Sequence, residues 1–85
     1  MPEISRFFGI VIEMRSREHG YPHFHALYGG DEISVRIIDG SIVGAFPKRQ
    51  VKLVRQWLEL HRAELLEDWA LLQRRQPPRY IEPLW

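Results

Sequence analysis

The spacing of apolar residues changes once along this chain, and the change divides it into two parts. Up to residue 46, apolar positions cluster in short runs rich in Phe, Ile and Val, separated by Gly and Asp turn signals. That pattern predicts β-strands. The run at about 7–14 reads as a first strand and His23–Tyr28 as a second. Gly29-Gly30 is a two-residue hairpin turn into a third strand at about 32–38, and Asp39-Gly40 turns the chain into a fourth at about 41–46. Pro47 is well placed at the first turn of a helix. From Lys48 onward the period is helical, predicting one long helix at about 48–75 and a tail at 76–85. The expected architecture is α+β: a single domain over residues 1–85, with a four-stranded antiparallel β-meander covered on one face by a long C-terminal helix.

Two-residue turns set the register of the strands they join. Around Gly29-Gly30, Tyr28 faces Asp31, Ala26 faces Ile33 and Phe24 faces Val35. Around Asp39-Gly40, Ile37 faces Ile42 and Val35 faces Gly44. Both turns put Phe24, Ala26, Ile33, Val35, Ile37 and Ile42 on one side, with Phe8, Ile10, Ile12 and Met14 as their partners on the first strand. On the helix, Val51, Val54, Leu58, His61, Leu65, Trp69 and Leu72 form a stripe about 80° wide that should cover this core face. A straight helix of this length runs roughly 40 Å, longer than a domain this small, so a kink near His61 is one expectation. Leu53, Trp57, Leu60 and Leu71 occupy a different helix face. Either the tail at Tyr80–Trp85 packs there or a second copy does, making Leu53, Trp57, Leu60 and Leu71 a homodimer interface.

Composition narrows the setting. The chain has 85 residues, 12 Lys and Arg against 11 Asp and Glu, four His and no Cys. One domain with one core is what this length allows. The absence of cysteine excludes a disulfide framework or thiolate metal site and suits a reducing cytoplasm. No apolar run approaches the roughly twenty residues needed to span a bilayer, and the N-terminus shows no secretory signal, so no membrane role is expected. A near-neutral total excludes a uniformly basic protein but conceals a separation. Lys48, Arg49, Lys52 and Arg55 crowd the helix start without an acid among them. Cations there oppose the helix dipole, yet beside free backbone N–H groups they make a nucleic-acid or anion-binding surface.

The open face of the sheet carries the remaining chemistry. By the same register His25 faces Ser34 and His23 faces Arg36, with Glu13 on the corresponding side of the first strand. A solvated sheet face of ordinary polar residues accounts for such a set. Two functional readings compete with it. His23, His25, Glu13 and Arg36 suit metal-independent cleavage of an RNA phosphodiester, with the histidines as base and acid and Arg36 stabilising the phosphorane. Alternatively His23 and His25, at i and i+2, bind a divalent metal with His19 or Glu13 as third ligand. Arg36 opposite His23 repels a cation, so the phosphate reading is preferred and no cofactor is expected. His61, inside the apolar stripe, reads as a histidine bonded to Glu64 or a backbone carbonyl.

Several stretches together resemble a known family. They are Ile4-Ser5-Arg6-Phe7-Phe8-Gly9-Ile10-Val11-Ile12, Pro22-His23-Phe24-His25-Ala26 with Tyr28-Gly29-Gly30, and Trp57, Leu60-His61-Arg62 and Glu64-Leu65-Leu66 with Trp69. In these the chain is similar to the short bacterial proteins of domain of unknown function 4160 (DUF4160), from Pro2 to about Leu84. Tyr21 and Leu27 depart from that pattern, standing where the family typically has Pro and Arg. The resemblance implies a small cytoplasmic protein with a neighbouring-gene protein partner, in an arrangement similar to toxin–antitoxin pairs, with RNA or DNA as the ultimate target. It supplies no catalytic residues. A non-enzymatic, dimeric binding or regulatory module is the alternative.

Overall fold

A computed structural model describes residues 2–16 and 18–84; Met1, Arg17 and Trp85 lie outside the described residues. Five strands and one helix follow in order: β1 (Glu3–Phe7), β2 (Ile10–Glu13), β3 (His23–Tyr28), β4 (Asp31–Arg36), β5 (Ile42–Gly44) and α1 (Lys48–Gln73). The strands form one antiparallel meander in the order β1-β2-β3-β4-β5. The α+β reading therefore stands with one more strand than the apolar pattern indicated. The additional strand comes from a hairpin inside the run Phe7–Ile12. Phe8 and Gly9 take positive φ angles of 49° and 78°, so the chain reverses and Phe7 pairs with Ile10. Phe8 consequently sits on the turn, 52% exposed, and not on the core face where strict alternation placed it.

The β3–β4 register is the one set by the Gly29-Gly30 turn: Tyr28 faces Asp31, Ala26 faces Ile33, Phe24 faces Val35, His25 faces Ser34 and His23 faces Arg36. The next hairpin differs. Val35 pairs with Ile42, and Ile33 with Gly44, two residues from the expected register. Residues 37–40 make a longer loop in which Arg36 N–H donates to Ser41 O, Gly40 N–H donates to Arg36 O, and Asp39 Oδ1 accepts from Ser41 N–H. Because side chains alternate with period two, a shift of two leaves every residue on its expected face.

Buried side chains from both layers meet on that face: Ile10, Ile12, Met14, Phe24, Val35 and Ile37 from the sheet side, with Val54, Leu58, Leu65 and Leu72 from the helix. Of the expected stripe, Val51, His61 and Trp69 are partly buried. At about 1.5 Å per residue a straight 26-residue helix would span about 39 Å, against a longest dimension of 34 Å for the whole molecule. The helix bends instead: His61 has φ −125° and ψ 20°. Its Nδ1 lies 2.5 Å from Glu64 Oε1.

The second apolar helix face is partly covered by the chain's own tail. Ile81 is buried, and its N–H donates to Ile4 O at 2.7 Å, capping the open edge of β1. Trp57 Nε1 donates to Glu82 O at 2.8 Å. Trp57 is fully buried, against Phe7 and Phe24 at ring-centroid distances of 5.4 and 5.6 Å. The expected interface set is thus divided: Trp57 belongs to the core, Leu53 packs against it, Leu71 is partly buried, and Leu60 alone is largely exposed. No described helix is long and apolar enough to cross a membrane.

Candidate functional site

β3 presents Phe24 and Ala26 inward, and alternation sends His23 and His25 to the other face. The chain between β2 and β3 folds back across this face. It carries Glu18, whose Oε1 lies 2.9 Å from His23 Nε2 and 2.5 Å from His25 Nε2. These three ligand-capable atoms all fall within 4.8 Å of one another. The site is well shielded: side-chain exposure is 11% for each histidine and 30% for Glu18. Aromatic walls enclose His23, with Trp69 of α1 at 5.1 Å and Tyr21 at 5.6 Å between ring centroids. Gln73 Nε2 reaches the Glu18 backbone carbonyl at 3.5 Å, tying the end of α1 to the same loop.

Each histidine is oriented from behind. His23 Nδ1 is 2.9 Å from Tyr21 O. A carbonyl only accepts, so Nδ1 carries a proton, and a neutral His23 then points a lone pair from Nε2 at Glu18. His25 Nδ1 has no hydrogen bond among the described residues but lies 3.3 Å from Glu32 Oε2. Burial pushes the Glu18 carboxyl up, but the hydrogen bonds from His25 and His23 outweigh it and hold the group below the usual glutamate range. Glu32 is likewise held low, chiefly by its hydrogen bond from Arg15.

Of the expected catalytic set, the structure brings together the two histidines but not their two partners. Glu13 does face His25 across β2 and β3, yet its carboxylate accepts from Arg15 at 3.2 Å. Arg36 faces His23 across β3 and β4, but its guanidinium stacks on the Tyr21 ring at 4.0 Å and reaches Asp39 at 3.4 Å. The histidines therefore converge on one carboxylate oxygen, whereas acid–base cleavage would need them on opposite sides of a phosphate. As for a metal, the third ligand-capable group is Glu18 in place of His19 or Glu13. His19 is exposed and lines a neighbouring cavity of about 750 Å³ together with Glu18 and Gln73. Glu18 escaped the sequence reading because its position depends on the path of a loop, which no period reports. Its one signal was a carboxylate inside a short segment preceding the His-x-His pair.

The basic helix start forms a second feature. Lys48, Lys52 and Arg55 line a groove of about 480 Å³ whose apolar members are Phe46 and Val51. None of these cations, nor Arg49, pairs with a carboxylate among the described residues. Glu59 also lines the groove, but Arg62 holds both its oxygens at 3.0 Å. Lys48 and Trp69 stand about 31 Å apart along the helix path at 1.5 Å per residue, shortened by the bend at His61. The groove and the histidine cluster thus lie toward opposite ends of the molecule.

No curated protein and no solved structure matches the chain. The family described as "Domain of unknown function (DUF4160)" matches residues 9–70, a segment that contains the His-x-His strand, the Glu18 loop and most of α1. That span is well over half of the chain, and the protein belongs to the DUF4160 family.

Proposed function

We propose that this protein binds nucleic acid through the groove at the start of α1, as a non-catalytic component of a toxin–antitoxin-like pair. The observation that carries the reading is the set of cations Lys48, Lys52 and Arg55 around one apolar-floored groove, with its single acid already neutralised by Arg62. Arg49 adds charge beside it, on the same helical turn. Lys and Arg neutralise backbone phosphates and release counterions, and Phe46 offers an aromatic surface on which a base can stack. The resemblance to paired short bacterial proteins supports the toxin–antitoxin setting, and the converging histidines favour binding over cleavage.

Fluorescence anisotropy with labelled single-stranded RNA and duplex DNA across a salt series tests this. Three to four phosphate contacts give a log–log salt slope of about −2 to −3.5. Lys52→Glu combined with Arg55→Glu should flatten that slope by about two and weaken binding to every sequence alike. Absence of binding at low salt, or unchanged binding by the charge-reversed variant, refutes the reading. Retention of an acidic protein but of no nucleic acid would do so equally.

A further inference from the structure

Two buried histidines aimed at one carboxylate oxygen pose a chemical problem. With the Nδ1 proton committed to the Tyr21 carbonyl, His23 in its neutral form would turn a lone pair toward Glu18 Oε1. His25 Nε2 approaches the same oxygen. Nitrogen and carboxylate lone pairs repel unless something positive lies between them. Protons on both rings would serve, and so would one metal ion bound by all three atoms.

We propose that Glu18 Oε1, His23 Nε2 and His25 Nε2 form a binding site for a divalent first-row transition-metal ion of the Zn²⁺ type. Four observations converge on it. The donor set is two imidazoles and one carboxylate, which suits Zn²⁺ and its neighbours and not Ca²⁺ or Mg²⁺. The three donor atoms already lie within 4.8 Å of one another, so small shifts bring them to the roughly 2.0–2.2 Å metal–ligand distances such ions need. Outer partners are in place: Tyr21 O fixes the His23 tautomer, and Glu32 stands behind His25 Nδ1 at 3.3 Å, the arrangement that orients metal-bound imidazoles. Finally, the charge that would oppose a cation is turned away, since Arg36 lies over Tyr21 and against Asp39. Glu18 also borders the cavity it shares with His19. The site lies far from the basic groove and stands independently of nucleic-acid binding.

The full-length protein, stripped with EDTA and exchanged into chelator-free buffer, is titrated with Zn²⁺ by calorimetry. One ion per chain is expected, with a rise in melting temperature. Glu18→Gln, His23→Gln and His25→Gln should each weaken binding by at least about tenfold, the loss that even outer-partner changes produce. His19→Gln should bind as the unaltered chain does. Because a variant can fail by misfolding, the unaltered protein is also followed by NMR, where Zn²⁺ should shift the ring resonances of His23 and His25 and leave those of His61 in place. Absence of saturable one-to-one binding overturns the proposal. So does an affinity in the His23 and His25 variants equal to that of the unaltered chain, loss of binding in His19→Gln, or a Zn²⁺ response confined to His61.

Discussion

Trp57 is the residue whose replacement most directly tests how this small fold is held together. Its indole is fully buried. It packs on Phe7, Phe24 and His61 at 5.4, 5.6 and 5.6 Å and donates to Glu82 O at 2.8 Å. One side chain thereby joins the helix, β1, β3 and the tail. A chain of 85 residues at roughly 0.05–0.15 kcal/mol per residue has a total stability of about 4–13 kcal/mol. Trp57→Ala removes about 3–5 kcal/mol, a large part of that total. Trp57→Phe keeps an aromatic ring but loses the hydrogen bond, worth about 1 kcal/mol, and the smaller ring raises the expected loss to about 2 kcal/mol. Urea unfolding followed by far-ultraviolet circular dichroism reads both. With m near 1–3 kcal/mol/M for a small domain, Trp57→Phe should lower the midpoint by roughly 1 M, while Trp57→Ala should be marginally folded without denaturant. Leu60→Ala, at a residue 67% exposed on the adjacent turn, should cost no more than about 0.5 kcal/mol. A Trp57→Ala unfolding free energy within about 0.5 kcal/mol of that of the unaltered chain would refute the placement of this indole in the core and of the tail upon it.

Two further outcomes follow from buried or strained positions. Asp68 is 1% exposed; its Oδ1 accepts from Arg79 N–H at 2.9 Å and its Oδ2 has no partner among the described residues. Burial raises its carboxyl above the usual aspartate value of 3.8, the Arg79 N–H only partly opposing it. The folded state then holds the proton more tightly than the unfolded state, so the contribution of Asp68 is most favourable below 3.8 and is lost as pH rises through the folded value. Asp68→Asn keeps an acceptor for Arg79 and removes that pH dependence. Thermal melts across pH 3–8 should show the variant gaining on the unaltered chain as pH rises; parallel curves would contradict the assignment. Gly44 has φ 111°, and a Cβ there would lie 2.8 Å from Glu32 O. Gly44→Ala should cost about 1–3 kcal/mol, read as a lower urea midpoint at unchanged m, and a neutral result would show that β5 does not pair with β4 as described.

Where a feature depended on period or on the Gly29-Gly30 turn, the sequence was enough. Gly29-Gly30 sets the β3–β4 register, alternation separates Phe24 from His23 and His25, and the helical stripe identifies Val54, Leu58, Leu65 and Leu72 as core. Even the two-residue shift beyond Asp39-Gly40 left faces intact, because period two tolerates an even displacement. The break between β1 and β2 was hidden because Phe8, a residue that rarely takes a left-handed conformation, occupies the turn. The helix start was legible as a run of cations; that Arg62 neutralises its one acid was not.

The candidate site divides along the same line. Sequence placed two histidines side by side with Arg36 opposite and Glu13 near. Only the tertiary structure decided which charges face them. Tyr21 draws Arg36 aside, Arg15 occupies Glu13, and the loop before β3 delivers Glu18 to both rings. Periodicity determines the face on which a side chain emerges, since that is a property of the local backbone. Which partner it meets there depends on where a loop of no fixed period is carried by the packing of everything else.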